Sequence, residues 1–231
     1  MAAFGCNYSG DVKPEQVVER VTVERELRLI REAQGGSLKA RNCIEGYRML
    51  ISFCEENDVP FELCGKIVVA TDEHELPLLQ TLYQRGEQNG LTGFRMLKSE
   101  ALREYEPHVR GIAGFFVPQT GIVDYKVVAE KYGEQIRNRG GEIILGEKVV
   151  RIIKERSTVT VVTDKTTHHA GMIVNCAGLY SDKVARLASE NIDIKIIPFR
   201  GEYFKLKKDR EYLVKNLIYP VPDPNFPFLG V

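Results

Sequence analysis

The sequence predicts an α/β fold, because segments with the periodicity of amphipathic helices alternate with short apolar runs of strand length. Apolar residues recur every three or four positions over residues 37–57, as on the buried face of a helix. Apolar residues follow one another over residues 67–70, as in a buried strand. Strand candidates come closer together in the second half, which predicts an added antiparallel portion.

The first third of the chain predicts three helices and one strand. Residues 14–34 have the pattern of a charged amphipathic helix, which two glycines end. A second helix is predicted over residues 37–57, followed by a strand over residues 66–70. The third helix is predicted over residues 73–89, with Pro77 in its first turns, where proline is tolerated.

The middle third is richer in turns. Ser99 begins a short predicted helix that ends before Pro107, and residues 111–117 predict β structure. A further helix is predicted over residues 124–139, because two glycines stop the periodicity there. The last third then predicts strands at residues 142–145, 148–153, 158–163, 171–175 and 194–206, with a helix at residues 181–190.

Composition excludes several classes of protein. The 32 basic and 32 acidic residues cancel, so no overall field draws the chain to nucleic acid. No apolar stretch approaches the length of a membrane-spanning helix, and no secretory or transit signal is recognisable at the N-terminus. The five cysteines are scattered and form no Cys-x-x-Cys pair, which predicts a reducing compartment and no metal site. A cytoplasmic location is therefore expected.

One turn has the pattern of a ligand-binding segment. An apolar run ends at Asn175, Gly178 permits a tight turn, and Ser181 or Asp182 can cap the helix that follows. Backbone N–H groups at such a helix start favour a phosphate or another electron-rich group. An ordinary strand-to-helix turn of an α/β fold has the same pattern, so both interpretations stay open.

Six segments in one order carry a family resemblance: GSLKA at 36–40, CGKIVVA at 64–70, TGIVDY at 120–125, NCAGLYSD at 175–182, PFRGEY at 198–203 and IYPVPD at 218–223. With them the chain resembles the flavin-dependent oxidoreductases of the D-amino-acid-oxidase type. Within that type it is similar to the L-2-hydroxyglutarate oxidase or dehydrogenase subfamily. The resemblance covers about residue 35 to residue 231.

The resemblance implies part of a two-domain FAD-dependent oxidoreductase fold. An incomplete dinucleotide-binding domain, formed by residues 35–62 and 124–190, would be interwoven with a mixed-sheet substrate domain, formed by residues 63–123 and 191–231. Residues 1–34 form a charged N-terminal segment without an assignment. None of the 20 glycines has the Gly-x-Gly-x-x-Gly spacing of a dinucleotide-binding turn. The chain is therefore expected to be an internal fragment that does not retain FAD alone.

The resemblance also implies the chemistry, which is oxidation of L-2-hydroxyglutarate to 2-oxoglutarate with hydride transfer to FAD. Implied cofactor contacts are Val149, at whose strand a backbone group would meet the adenine of FAD, and Cys176, Ala177 and Gly178. For the dicarboxylate substrate the implied contacts are Arg200, Tyr203 and Tyr219, because arginine binds a carboxylate through two parallel hydrogen bonds. Arg200 paired with Glu202, and tyrosines that only pack, are the alternatives. No catalytic base is assigned, since His74, His108, His168 and His169 all fall in predicted surface positions.

Other functions and partners stay open. The substrate could instead be another 2-hydroxy acid, glycerol 3-phosphate or an amino acid, and the chain could be a non-catalytic interaction module. Electrons are expected to pass to oxygen or to a quinone-type acceptor at the membrane surface, and a eukaryotic relative would be mitochondrial. The apolar run over residues 226–231 predicts self-association through an unpaired edge.

Overall fold

The computed structural model describes residues 21–22, 36–189, 191–198 and 206–222, and the chain divides into two compact units. Of the described residues, 21–22, 36–128 and 206–222 belong to one unit, which we call the sheet unit. Residues 129–189 and 191–198 belong to the other, which we call the hairpin unit. Residues 36–62 lie in the sheet unit. The assignment of either part to a cofactor or a substrate domain remains a prediction.

The described elements alternate as an α/β fold does. The helices are α1 (Leu38–Glu56), α2 (Leu76–Gln88), α3 (Ser99–Tyr105), α4 (Tyr125–Asn138) and α5 (Ser181–Leu187), with short 3-10 turns at Glu73–Glu75, Gly178–Tyr180 and Lys208–Leu213. The strands are β1 (Val21–Thr22), β2 (Phe61–Glu62), β3 (Lys66–Ala70), β4 (Arg95–Lys98), β5 (Ala113–Val117), β6 (Ile122–Val123), β7 (Val149–Lys154), β8 (Val159–Thr163), β9 (Thr167–Ala170) and β10 (Leu217–Pro220).

The sheet unit contains a four-stranded mixed sheet in the order β10-β3-β5-β4. β10 runs parallel to β3, and the other neighbours are antiparallel. Successive residues of β3 point to opposite faces, so Val68 joins a buried cluster with Leu79 and Leu82 of α2, while Ile67 joins a separate cluster with Leu102 of α3. Both faces of β3 are therefore buried. A smaller antiparallel sheet has the order β1-β6-β2.

The hairpin unit contains a three-stranded antiparallel sheet in the order β7-β8-β9. Ile152 and Val161 are opposite each other in the ladder, and both are buried. The register shifts between Val149 and Arg151, which is a β-bulge at Val150. α5 packs against β7.

Side-chain caps explain where α1 and α4 begin. The Ser37 hydroxyl accepts a hydrogen bond from the Ala40 N–H, which caps α1. The Asp124 carboxylate accepts from the N–H groups of Lys126 and Val127 at the start of α4. The predicted helices at 37–57, 73–89 and 124–139 are thus confirmed within a few residues at either end.

Several predicted elements are wrong. Residues 142–145 and 171–175 form no strand, because no described neighbouring strand pairs with their backbone. Within the predicted strand at 194–206, residues 194–198 and 206 are irregular, and residues 199–205 lie outside the described residues. Val21–Thr22 form a strand inside the predicted helix at 14–34, whose other residues lie outside the described ones.

Candidate cofactor site

Val149, a predicted cofactor contact, is the first residue of β7. Among the described strands, β7 pairs with β8 alone. Val149 is opposite Thr163, and the bulge at Val150 then interrupts the ladder. Such bulges re-aim the backbone and end regular pairing, often beside functional sites. On the side of β7 away from β8, no described strand pairs with its start.

The other predicted cofactor contacts lie on one turn before α5. The Asn175 Oδ1 accepts a hydrogen bond from the Ala177 N–H at 3.2 Å, and its Nδ2 donates to the Ser181 carbonyl at 2.8 Å. The Tyr180 N–H donates to the Ala177 carbonyl at 3.0 Å. Asn175 therefore closes the turn that holds Cys176, which is exposed, and Gly178.

Gly178 has the backbone conformation that favours glycine. Its φ is +54°, and among the described residues other than its chain neighbours no heavy atom lies within 4 Å of the position that a Cβ would take. The space beside it is open, so a ligand can approach the backbone where a side chain would otherwise stand. α5, which follows this turn, packs against β7. The structure thus brings the two predicted cofactor-contacting elements into one unit.

A buried carboxylate that the sequence analysis considered only as a cap anchors α5. The Asp182 Oδ2 accepts from Arg186 Nη1 at 2.8 Å and from the Ile196 N–H at 3.4 Å, and Arg186 Nη2 donates to the Ile194 carbonyl at 2.8 Å. The Arg186 hydrogen bond, with backbone donors, lowers the pKa of the Asp182 carboxyl against the effect of burial. The i, i+4 spacing of Asp and Arg was the signal in the sequence.

Of the three predicted substrate contacts, one, Tyr219, lies among the described residues. Tyr219 lies in β10 of the sheet unit, where its ring is buried in the cluster that contains Val68 and Phe115. Lys66 Nζ lies 5.3 Å from the centre of the Tyr219 ring. This placement agrees with the alternative of a packing tyrosine, and a substrate contact remains a prediction. Arg200 and Tyr203 lie outside the described residues.

No histidine among the described residues is placed as an evident catalytic base. His74, His108 and His169 are exposed, and His169 Nδ1 lies 3.1 Å from the Thr160 hydroxyl. His168 is half-buried and lies beside Glu147, with Nε2 3.3 Å from Oε2. Within the described part of the chain, no three His, Cys, Asp or Glu side chains converge as a metal site, and no helix is long and apolar enough to cross a membrane.

Comparison with known proteins identifies the family. Residues 13–231 match the family described as FAD dependent oxidoreductase. The chain belongs to this family. It is 58% identical over 197 residues to an L-2-hydroxyglutarate dehydrogenase of Indibacter alkaliphilus, covering 85% of this chain and 49% of that protein. It is 39% identical over 207 residues to the mitochondrial L-2-hydroxyglutarate dehydrogenase of Homo sapiens, covering 84% and 45%. The chain therefore spans about half the length of these curated relatives.

Solved structures confirm the fold. The FAD-bound L-alpha-glycerophosphate oxidase of Mycoplasma pneumoniae superposes with a TM-score of 0.70 at 20% identity, over 87% of this chain and 53% of that one. Glycine oxidase of Geobacillus kaustophilus gives a TM-score of 0.69 at 15% identity, over 86% and 54%. The predicted α/β oxidoreductase fold and the resemblance to L-2-hydroxyglutarate dehydrogenases are both confirmed.

FAD is the cofactor of this family, and the described residues fit it in part. Among the described residues, no strand pairs with β7 on the side away from β8, and the space beside Gly178 is open, so a ligand can come close to the backbone there. Neither feature supplies the glycine-rich turn that binds a pyrophosphate, and the sequence contains none. The part of the site in this chain is therefore suited to the edge of a cofactor rather than to its phosphates.

Proposed function

We propose that this chain takes part in the FAD-dependent oxidation of L-2-hydroxyglutarate to 2-oxoglutarate. The observation that carries the proposal is the 58% identity over 197 residues to a relative with that name. Relatives with other activities are far more distant, at 20% identity for a glycerophosphate oxidase and 15% for a glycine oxidase. Likeness at that level supports the fold and favours no alternative substrate.

Residues of the hairpin unit would hold the cofactor. Val149 would contact it on the side of β7 that no described strand covers, and Cys176, Ala177 and Gly178 through the turn that Asn175 closes. When bound, FAD accepts the hydride from the substrate carbon. Gly178 lets the cofactor approach the backbone, because it has no side chain in the open space beside the turn.

Arg200, Tyr203 and Tyr219 would bind the substrate. A dicarboxylate needs fixed cationic donors, and a guanidinium can hold one carboxylate in a single orientation. Arg200 would supply these donors, and the tyrosine hydroxyls would donate further hydrogen bonds. We assign no residue as the base that removes the hydroxyl proton.

The experiment needs two proteins, because the relatives are about twice as long as the matched region. The first is this chain alone, and the second is a chimera in which it replaces the matched half of the Indibacter alkaliphilus relative. We expect the chimera to bind FAD and reduce a dye with L-2-hydroxyglutarate, and the chain alone to bind FAD weakly or not at all. L-lactate, glycerol 3-phosphate and glycine test the alternative substrates. A chimera that folds but oxidises none of these acids would support the interaction module instead.

Gly178 has a matched control in the same unit. Gly140 also has a positive φ, +78°, and open space around its Cβ position. A leucine at either position meets similar backbone strain, whereas only the variant at 178 would obstruct the proposed cofactor site. We expect Gly178→Leu to abolish FAD binding by the chimera and Gly140→Leu to retain it. Equal loss in both variants would contradict the proposed contact.

The electron acceptor, the location and self-association belong to the same proposal. Electrons would pass to oxygen or to a quinone-type acceptor at the membrane surface, and assays with oxygen, dye and a soluble quinone would separate these acceptors. A cytoplasmic location is proposed, because the 58% identical relative is bacterial, whereas the animal relatives are named mitochondrial. Residues 226–231, through which self-association is proposed, lie outside the described residues. Size-exclusion chromatography tests that interaction.

A further inference from the structure

A polar cluster lies beside the start of β7 and has no part in the function proposed above. The Thr163 hydroxyl donates to Glu147 Oε2 at 2.8 Å, and His168 Nε2 lies 3.3 Å from the same oxygen. The Glu147 and His168 side chains keep 15% and 25% of their exposure, and Thr163 is buried. We call Glu147, Thr163 and His168 the hinge cluster. It joins the residues that precede β7 to both other strands of the sheet.

Further hydrogen bonds from backbone N–H groups connect the residue next to Glu147 with the turn next to Thr163. The Lys148 N–H donates to Asp164 Oδ1 at 2.9 Å, and the Asp164 N–H donates to the Lys148 carbonyl at 2.9 Å. The Thr166 N–H donates to the Thr163 hydroxyl at 2.8 Å, which orders the turn between β8 and β9. Residues 147 and 148, which come shortly before the bulge, are therefore bonded to the turn at 163–166.

Val149 lies between the bulge and these contacts. Its ladder pair with Thr163 is separated from the rest of the β7–β8 ladder by the break at Val150. The contacts on its N-terminal side therefore add to this one pair in fixing the position of Val149. Hydrogen bonds to an ionised carboxylate are stronger than neutral ones, and this carboxylate accepts from the turn that faces the strand.

We propose that the hinge cluster is a set of positioning residues, which fixes the start of β7 so that Val149 presents its backbone to the adenine part of FAD. The proposal rests on the proposed cofactor site and adds three residues that would act through Val149 without touching the cofactor. The charged groups around the cluster are Lys165, Asp164 and Lys148. Lys165 attracts Glu147, and hydrogen bonds from Thr163 and then His168 lower the pKa of the Glu147 carboxyl. The carboxylate is therefore ionised at neutral pH.

The first measurement is amide hydrogen exchange on the full chain. Thr163→Val removes the hydroxyl at nearly constant volume, and Glu147→Ala removes the acceptor. We expect the Lys148 amide to exchange roughly three- to tenfold faster in both variants, the range of one lost hydrogen bond. Lys148 is informative because its own acceptor, Asp164, is unchanged. Glu147→Gln keeps an acceptor oxygen and should restore most of the protection.

Thr160→Val is the matched control. The Thr160 hydroxyl and His169 Nδ1 are 3.1 Å apart on the same two strands, away from the start of β7. The control should leave Lys148 exchange unchanged, since it removes a similar Thr–His contact that does not reach β7. If Thr160→Val and Thr163→Val change Lys148 exchange equally, the hinge cluster does not anchor the strand and the proposal is wrong.

The second measurement is ADP binding by the chimera, by calorimetry at a temperature where every variant is folded. We expect Thr163→Val and Glu147→Ala to weaken ADP binding roughly three- to tenfold, Glu147→Gln to weaken it less, and Thr160→Val to leave it unchanged. Faster Lys148 exchange with unchanged ADP affinity would overturn the positioning role. An unsubstituted chimera that binds neither ADP nor FAD would instead refute the proposed function itself, and the positioning role with it.

Discussion

The two units differ in whether their short apolar segments are buried in a sheet or exposed. In the sheet unit, all five residues of β3 are buried between β10 and β5. In the hairpin unit, the apolar residues around Leu145 and Met172 belong to no sheet, and these two side chains are 73% and 66% exposed. The sequences of these segments resemble one another, since each is a short run of Ile, Val, Leu or Met. An apolar run becomes a strand only where a neighbouring strand can pair with its backbone.

The first prediction tests this difference in burial at the position where we expect the largest loss of stability. Phe115 is fully buried at the centre of the sheet unit, and its ring centre lies 5.9 Å from that of Tyr83 and 6.3 Å from that of Phe94. We expect Phe115→Ala to lower the free energy of unfolding by about 3–5 kcal/mol, because it leaves a cavity in the core. Urea denaturation followed by circular dichroism measures the loss.

Leu145→Ala is the control for this prediction. It removes a comparable apolar side chain from an exposed position in the hairpin unit, so the free energy of unfolding should change by less than about 0.5 kcal/mol. A large loss from Leu145→Ala would mean that the apolar segments of the hairpin unit are buried in solution, and the contrast between the units would disappear.

The second prediction uses two glycines to compare backbone packing. A Cβ on Gly114 would lie 2.4 Å from the Val68 carbonyl oxygen and 2.8 Å from Leu102 Cδ2, so the central strands leave no room for it. We expect Gly114→Ala to destabilise the sheet unit by about 1–3 kcal/mol. Gly171 has no heavy atom within 4 Å of its Cβ position, so Gly171→Ala should be nearly neutral. Thermal unfolding of both variants tests this, and equal shifts in Tm would contradict it.

Sequence reasoning succeeded where local information is sufficient. α1 and α4 begin where Ser37 and Asp124 cap them, and β3 is apolar after Lys66, so the positions of these elements could be predicted. β9 was missed, because its sequence, Thr-His-His-Ala, is polar and its strand conformation comes from pairing with β8. Residues 171–175 were predicted as a strand on apolarity alone, without knowledge of a partner.

The candidate site, too, could be predicted only in part from the sequence. Val149 and Gly178 could be proposed from the family resemblance, and the structure places both in the hairpin unit. The bulge at Val150 has no signal in the sequence, because it depends on the register between β7 and β8. The contacts of Glu147 with Thr163 and His168 also join residues 16 and 21 positions apart, which spacing alone does not predict.

The third prediction concerns acid, to which the hairpin unit should respond through two carboxylates. Hydrogen bonds lower the pKa of Asp182, chiefly from Arg186, and that of Glu147, chiefly from Thr163. A lowered folded-state pKa gives stability that is fully present above the unfolded pKa, about 4, and that is lost as pH falls through the folded value. We expect the Ile196 amide, which donates to Asp182, to lose exchange protection below about pH 4, after correction for intrinsic rates.

Asp182→Asn isolates the contribution of the Asp182 carboxylate to this acid response. The amide side chain of this variant cannot ionise, so the acid-dependent part of the protection at Ile196 should disappear. Exchange measured between about pH 3 and pH 6 on both proteins tests this, since that range spans the ordinary carboxyl pKa. If Ile196 keeps the same pH dependence in the variant, another group controls the segment that Asp182 contacts.

The smallest expected effect is at the exposed ion pairs, one on a helix of the sheet unit and one on α4. Arg48 and Glu45 on α1 are 4.0 Å apart, with side chains 72% and 67% exposed. Lys131 and Glu134 on α4 are closer, at 3.0 Å, and less exposed.

Surface pairs contribute little, because solvent screens the attraction and ordering the side chains costs entropy. Glu45→Gln should change the free energy of unfolding by less than about 0.3 kcal/mol and Glu134→Gln by up to about 0.5 kcal/mol. Urea denaturation at low and high salt measures both, and a loss of more than about 1 kcal/mol at either site would show that surface charge contributes to the difference between the units.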